Sequence, residues 1–243
     1  MSLLHIRGET VNRLLATLPK TDYERLLPGL ERIPLIFGDV LYEPGDIIKH
    51  VYFPNDSIVS LLSALSERST LEVGMVGNEG MAGLPIFMGV NVSRTRALVQ
   101  GAGSAMRMKS ATVRHEANRL GALHSLLHRY THSLLTQVSQ SVACNHFHSV
   151  DARLARWLLM TSDRLGVDNF RLTQDFMSNM LGVRREGVSE AAGRLQQAGI
   201  IRYRRGHLAV VERSGLGERS CECYGAVRAE FDRLLADIPS AIR

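Results

Sequence analysis

The sequence predicts an α+β protein with a β-rich N-terminal region, a long helix and a C-terminal winged helix-turn-helix. Residues 31–108 contain seven short β-rich runs, with turn residues about every eight to twelve positions, as in antiparallel sandwiches and barrels. Residues 111–147 contain no proline and carry leucines at helical spacing. Residues 172–211 combine two helical runs with a hairpin pattern. We therefore expect domains at 1–110, 111–148 and 149–243.

The winged helix-turn-helix is the most clearly marked element. Thr173 is a favourable N-cap for a short helix, and Gly182 interrupts the helical pattern where a turn is needed. A second helical run starts near Arg184 and stops at Gly199. Two β-branched runs then flank residues 204–207, as the strands of a hairpin do. This order of elements predicts a domain that reads DNA through its second helix.

The charge distribution favours a polyanionic partner for this domain. The whole chain has a formal net charge of +5 and a pI of about 9.4, which permits nucleic-acid binding without requiring it. Between Arg184 and Arg213 there are seven Arg and three Glu, but no Lys and no Asp. A face that only meets solvent usually mixes both signs of charge, so this clustering indicates double-stranded DNA as the partner.

The long helix carries an apolar seam that needs a partner. Large side chains alternate three and four residues apart, which places them on one face of a helix over 111–147. One interpretation packs this seam against the chain's own β-rich region. The other, which we favour, pairs it with the same helix of a second copy to form a homodimer. The seam residues are Leu120, Leu123, Leu127, Tyr130 and Leu134.

Shorter patterns mark the remaining elements. An apolar patch near the N-terminus predicts a helix that ends at Pro19. Residues 77–89 predict a glycine-supported loop with a short helix inside it. Ser149 is an N-cap candidate for a helix after the long one, and residues 214–235 predict one closing helix. The N-terminal patch consists of Val11, Leu14, Leu15 and Leu18.

The cysteines and histidines predict no metal centre. The cysteines at 144, 221 and 223 form no CxxC pair. On one helix, Cys221 and Cys223 would point in different directions because they are two residues apart. The histidines at 124, 128 and 132 recur four apart without a nearby carboxylate, whereas a structural zinc site needs four well-spaced ligands. His146 and His148 lie close to Cys144 in sequence. We expect structural thiols, surface or interface histidines and no metal, and the sequence identifies no cofactor.

The sequence lacks the signatures of secreted proteins, membrane proteins and several classes of enzyme. The sequence shows no signal peptide and no apolar run near the roughly 20 residues that span a bilayer, so we expect a cytoplasmic protein without membrane contact. It contains no HExxH, Walker, GxSxG or GxGxxG motif in the appropriate context. We therefore expect that the protein is not an enzyme.

Three stretches connect this order of parts to a known family. They are residues 41–46 (LYEPGD) with 51–53 (VYF), residues 153–159 (RLARWLL) and residues 181–190 (LGVRREGVSE). Together they resemble the Crp/Fnr family of bacterial transcription regulators over nearly the whole chain. The resemblance implies a cyclic-nucleotide-binding-like β-roll, a long dimerisation helix and a winged helix-turn-helix. A cluster of N-terminal cysteines, which iron–sulfur members of the family use, is missing.

The resemblance also implies roles for the second helix. The family's Arg-Glu pair is matched by Arg185 and Glu186, and Ser189 matches a serine that contacts DNA in some members. Arg can bind guanine O6 and N7 together, while Glu can accept from cytosine N4. Glu190, also placed among the base-reading residues, stands where a second arginine is usual, which leaves the target sequence open. We expect phosphate contacts, which position the domain without specifying sequence, from Thr173, Gln174, Arg184, Arg202, Arg204 and Arg205.

The cyclic-nucleotide residues of the family are poorly matched. Such members carry a Gly-Glu pair and, beyond it, an Arg-Ser/Thr-Ala run; the best alignment places residues 80–81 and 95–97 there. Met81 cannot accept a ribose hydrogen bond, so we expect no tight cyclic AMP binding and an unknown small-molecule effector. A shift of one or two residues would let Glu79 or Arg94 stand in. The candidate pocket consists of Gly80, Met81, Ala82, Gly83, Thr95, Arg96 and Ala97.

These observations predict a transcription regulator that binds a two-fold operator as a homodimer. Double-stranded DNA and a second copy are the expected partners, and RNA polymerase is a further candidate. The alternative is a ligand-binding sensor of the cyclic-nucleotide type that acts mainly on a protein partner. The arginine-rich wing and the Arg185-Glu186 pair favour the regulator.

Overall fold

The N-terminal half is the predicted β-roll. The computed structural model of the chain describes residues 12–66 and 69–236. Each of the seven β-rich runs contributes a strand, and the strands form two antiparallel sheets in the orders β1-β7-β3 and β2-β6-β4-β5. The strands are β1 (Glu31–Leu35), β2 (Val40–Tyr42), β3 (His50–Pro54), β4 (Ile58–Ser66), β5 (Ser69–Val76), β6 (Arg96–Gly101) and β7 (Gly103–Lys109).

Short helices accompany the roll. Helix α1 (Arg13–Ala16) stops before Pro19, which then precedes α2 (Lys20–Leu26). Val11 of the predicted N-terminal patch lies outside the described residues. The loop over 77–89 contains a 3-10 turn at Leu84–Ile86, as its glycine pattern predicted.

The long helix begins later than the sequence predicted. Helix α3 (Ser110–Ala117) ends first, and α4 (Ala122–Phe147) follows after a break. Leu120 lies in this break with a φ of 56°, and its side chain is 72% exposed. A left-handed leucine cannot continue a right-handed helix, so Leu120 does not belong to the seam.

The rest of the predicted seam is buried within the chain itself. Tyr130 is buried and its hydroxyl donates to the Met81 carbonyl oxygen at 3.1 Å. Two turns further on, Gln137 exchanges hydrogen bonds with the backbone of Met75. The face that we assigned to a second copy is therefore already occupied within one chain. The buried seam residues are Leu123, Leu127, Tyr130 and Leu134.

The C-terminal part is a winged helix-turn-helix with one strand more than predicted. A three-stranded sheet in the order β8-β10-β9 includes β8 from the linker after α5. Arg205 and Gly206, with φ of 51° and 77°, form a two-residue hairpin turn. The elements are α5 (Val150–Leu165), β8 (Asn169–Arg171), α6 (Gln174–Leu181), α7 (Arg185–Gln197), β9 (Ile201–Arg204), β10 (His207–Val210), α8 (Arg213–Arg219) and α9 (Cys223–Ala236).

The predicted closing helix is two helices. Ser220 has extended backbone angles (φ −75°, ψ 159°), which end α8, and α9 starts only at Cys223. Helix α9 then packs along α4, with Val227, Phe231 and Leu234 buried. Within 12–66 and 69–236, no helix has both the length and the apolar character needed to cross a membrane. The α+β prediction, with β-roll, long helix and winged helix-turn-helix, is confirmed.

Candidate nucleic-acid interface

Local sequence signals place the second helix of the helix-turn-helix at the surface. The Thr173 hydroxyl accepts from the Phe176 amide at 3.1 Å and starts α6, while Gly182, with φ of 61°, ends it. Helix α7 then buries an apolar stripe, and Arg185 and Glu186 at its start lie on the opposite, exposed face. The buried stripe consists of Val188, Ala191, Ala192 and Leu195.

Arg185 and Glu186 are exposed at the start of α7. The Nε of Arg185 lies 3.4 Å from the Gln174 amide oxygen and 3.5 Å from a carboxylate oxygen of Asp175. The guanidinium is therefore oriented by the N-terminus of α6 while the side chain as a whole remains exposed. Arg185 and Glu186 thus offer a planar donor group and a carboxylate at the exposed start of α7.

Ser189 and Glu190 contact residues of their own helix. The Ser189 hydroxyl donates to the Arg185 carbonyl oxygen at 3.0 Å. Glu190 lies 3.7 Å from Arg194, whose guanidinium also donates to both carboxylate oxygens of Asp151 at 2.6 and 2.7 Å. Glu190 thus lies at the edge of an ion-pair group in which Arg194 joins α7 to Asp151 of α5.

The predicted phosphate contacts lie at the start of α6, just before α7 and on the wing. Thr173 is exposed at the N-terminus of α6, where helix N–H groups favour an anion. Arg184 precedes α7 and is exposed. On the wing, the side chains of Arg202 and Arg204 are two residues apart on one strand and therefore share a face. The exposed arginines of this surface are Arg184, Arg185, Arg202, Arg204 and Arg205.

The predicted effector residues are occupied by contacts within the chain. The Gly80 amide donates to the Gly77 carbonyl oxygen at 3.1 Å, and Ala82 exchanges backbone hydrogen bonds with Tyr52 at 2.8 and 2.9 Å. These amides are not available to a phosphate. Arg96 instead donates to the Glu43 carboxylate at 2.8 Å. Of the remaining candidates, Met81, Gly83 and Ala97 are buried and Thr95 is half-buried.

Sequence reasoning missed how the β-roll is bonded to the DNA-reading domain. Glu79 does not face a ligand: its carboxylate accepts from Arg164 Nε at 2.8 Å, and the two side chains are only 6% and 8% exposed. On the same helix, Thr161 accepts from the Gln100 amide at 3.0 Å. No local pattern could have revealed these pairs, since 61 and 85 positions separate their partners.

Known sequences identify the domain that carries this surface. A family model for the Crp-like helix-turn-helix domain matches residues 152–219. The chain contains a Crp-like helix-turn-helix domain. In this chain the Crp-like domain starts within α5 and includes the reading helix, the wing and α8. No curated protein sequence matches the chain.

Solved structures show that the fold around the Crp-like domain is that of Crp/Fnr transcription regulators. FixK2 from Bradyrhizobium japonicum has 18% identity and a TM-score of 0.66, with 79% of this chain and 98% of that chain covered. CLP, a c-di-GMP responsive global regulator from Xanthomonas campestris, has 15% identity and a TM-score of 0.62, with 79% and 99% covered. A CRP/FNR-family transcriptional regulator from Thermus thermophilus, TTHA1359, has 19% identity and a TM-score of 0.61, with 78% and 98% covered. The predicted resemblance is confirmed.

Proposed function

We propose that the protein is a homodimeric transcription regulator that binds a specific two-fold DNA site in the cytoplasm. The observation that carries this proposal is the exposed first turn of α7, where Arg185 and Glu186 project next to a wing of exposed arginines. A helix presented in this way enters the major groove, where each base pair has its own donor and acceptor pattern. The wing arginines supply contacts to phosphates, which set the position on DNA.

A second face of α4 supports the homodimer. Thr131, Leu135, Val138 and Val142 alternate four and three residues apart, the spacing of a coiled-coil seam. Leu135 is 61% exposed and Val142 is 66% exposed, although both are apolar. A second copy of α4 would cover them. This face replaces the predicted seam in our proposal, because that seam is already buried within one chain.

Cyclic nucleotides fit poorly as the effector in this proposal. The amides of Gly80 and Ala82 are bonded within the chain, and Arg96 is paired with Glu43. Titration calorimetry with cyclic AMP and cyclic GMP is therefore expected to detect no binding at micromolar concentrations. Binding in that range would contradict this part of the proposal and would favour a cyclic-nucleotide sensor.

Selection of bound duplexes from a random DNA pool tests the proposal. We expect enrichment of a two-fold symmetric site whose halves lie about one helical turn apart, roughly 34–36 Å. Binding should weaken steeply as salt rises, because phosphate contacts release counterions. No enriched sequence, or enrichment of a single unpaired half-site, would contradict the homodimeric regulator.

Two arginine variants separate base reading from phosphate binding. Arg185→Ala should cost about 1–3 kcal/mol on the selected site and relax the preference at one base pair of each half. Arg204→Ala is the matched control: it should weaken binding to all sequences alike and reduce the salt dependence. If Arg185→Ala leaves the sequence preference unchanged, α7 does not read DNA in the proposed way.

A further inference from the structure

The structure brings all three cysteines together with one histidine. The Sγ atoms of Cys144 and Cys221 lie 3.5 Å apart, and Cys223 Sγ lies 3.6 Å from His148 Nδ1. All four ligand atoms lie within 4.8 Å of one another. The cysteines are free and buried, and His148 is half-buried. Sequence reasoning did not group these residues, because Cys144 and Cys221 are 77 positions apart.

Two breaks in helices make this convergence possible. Cys144 lies in the last turn of α4, and His148 is the residue that ends this helix, four positions later. Such a pair lies on one side of the helix end. Cys221 lies in the non-helical segment between α8 and α9, and Cys223 is the first residue of α9. On one continuous helix the two thiols would diverge, so the break at Ser220 is what lets them face the same point.

We propose that Cys144, His148, Cys221 and Cys223 bind a zinc ion. With Zn–S of about 2.3 Å and Zn–N of about 2.0 Å, a tetrahedral ion holds two sulfurs roughly 3.7 Å apart and a sulfur and a nitrogen roughly 3.5 Å apart. The observed separations of 3.5 and 3.6 Å are close to these values. Three thiolates and one imidazole form a complete tetrahedral set, which is typical of a structural site rather than a catalytic one.

Polar groups around the four residues support the assignment. His148 directs Nδ1 towards the thiols while its Nε2 lies 3.2 Å from a carboxylate oxygen of Glu222. A carboxylate on the far nitrogen orients a ligating imidazole and raises its basicity. The Gln140 amide donates to Cys223 Sγ at 3.1 Å. These contacts hold two of the four ligands in place from outside the group.

The charge of the site is also compensated. Three thiolates and a zinc ion carry a net charge of −1, which is costly to bury unless cations are near. Buried Arg156 and Arg153 of α5 both interact electrostatically with Cys144, and the Nε of each has no hydrogen-bond partner among the described residues. The two guanidinium groups therefore suit a neighbouring anionic centre.

The proposed site has a mechanical consequence. It links the C-terminal end of α4 to the segment between α8 and α9, and so fixes the closing helices of the DNA-reading domain to the long helix. The proposal does not depend on DNA binding, because it concerns only the stability and metal content of the chain.

Metal analysis of the full chain tests the proposal directly. The untagged protein is purified under a reductant without chelator, dialysed, and measured for zinc by mass spectrometry. We expect one zinc ion per chain and a protein that melts at lower temperature when zinc is removed. Cobalt(II) in its place should give the intense visible bands of a tetrahedral ion and a thiolate-to-metal charge-transfer band. Less than stoichiometric metal after reconstitution of the reduced chain, or octahedral cobalt spectra, would overturn the site.

Variants locate the ion. Cys221→Ser should abolish stoichiometric zinc, and Glu222→Gln, a surface change that leaves the four ligands intact, should weaken zinc binding by roughly 10–100-fold. His146→Ala is the matched control, since this exposed histidine lies two positions from His148 and outside the group. Unchanged affinity in Glu222→Gln and Cys221→Ser together would overturn the assignment. A Cys144–Cys221 disulfide in a chain that binds no zinc when reduced would also overturn it and assign a redox pair instead.

Discussion

Glu72 provides a test of how the β-roll holds the DNA-reading domain. This residue of β5 accepts a hydrogen bond from the indole N–H of Trp157 on α5 at 3.0 Å. Its second carboxylate oxygen is inaccessible to solvent and has no hydrogen-bond partner among the described residues. Burial raises the pKa of Glu72 from 4.5 to about 7, although Ser60, Trp157 and two arginines act in the opposite direction. Glu72→Gln should therefore change the pH dependence of stability.

The sign follows from the two pKa values. Between pH 4.5 and 7 the folded chain keeps a proton on Glu72 that the unfolded chain has lost, so the free energy of unfolding falls as pH rises through this window. Above pH 7 Glu72 is ionised in both the folded and the unfolded chain. Burial of the ionised carboxylate then lowers the free energy of unfolding by its full cost, roughly 3 kcal/mol. In the Glu72→Gln variant the new amide cannot ionise, yet it keeps an acceptor for the Trp157 N–H. The variant should gain up to about 3 kcal/mol relative to the native chain between pH 5 and pH 8.

Urea unfolding followed by tryptophan fluorescence measures this effect. Trp157 is the only tryptophan of the chain, so its emission reports directly on the contact with Glu72. Midpoints are compared at pH 5, 6, 7 and 8 for the native chain and Glu72→Gln, values that cover most of the window below the raised pKa and extend above it. Glu218→Gln, at an exposed residue of α8, is the control and should show no pH-dependent difference. A constant difference between Glu72→Gln and the native chain from pH 5 to pH 8 would refute the reasoning.

Three further changes test packing, the domain contact and the dimer. Gly80→Ala should destabilise the chain by about 1–3 kcal/mol in thermal unfolding, because the added Cβ would lie 2.4 Å from the Tyr130 hydroxyl oxygen. Arg164→Ala should cost about 3–5 kcal/mol in urea unfolding, since it leaves the Glu79 carboxylate buried without its partner. Leu135→Glu should convert the proposed dimer to a folded monomer in light scattering, because it places a charge in the exposed apolar face of α4.

Each of these changes has a matched control. Gly193→Ala meets open space within α7 and should stabilise the chain slightly, by about 0.5–1 kcal/mol. Arg194→Ala removes a surface ion pair and should cost at most about 1 kcal/mol. Ile36→Glu changes a residue that is 62% exposed on the β-roll and should leave the oligomeric state unchanged. A control that behaves like its partner would contradict the corresponding explanation.

Local signals in the sequence predicted most of the fold correctly. The hydroxyl caps at Ser149 and Thr173 start helices, and Gly182 ends one, because each signal acts within four residues. The seven β-rich runs became strands for the same reason, since turn residues bound each of them. The helix breaks at Leu120 and Ser220 were missed. Gly121, the N-cap of α4, follows Leu120, but a single glycine inside a helical pattern is often tolerated, and Ser220 is neither glycine nor proline.

The candidate sites also differ in whether local sequence signals can reveal them. The predicted reading surface lies within one stretch, so helix phase placed Arg185 and Glu186 at the start of α7, while their predicted roles come from the family resemblance. The four residues of the proposed zinc site join the end of α4 to a segment more than seventy positions later, and their geometry exists only once α9 packs along α4. The predicted partner of the α4 seam differs from the observed one for a related reason. Periodicity predicts that a helix face is buried but does not identify what covers it.

Helix α5 contacts both the β-roll and the helix that we propose reads DNA. On one side, Trp157, Thr161 and Arg164 bond to three different segments of the roll. On the other side, α5 packs against α7 and accepts two hydrogen bonds from Arg194 through Asp151. In the proposed regulator, a ligand of the β-roll can affect α7 only by changing the free energy of contacts between the β-roll and the C-terminal domain, which also include α6 against β5 and Phe37 against Phe176.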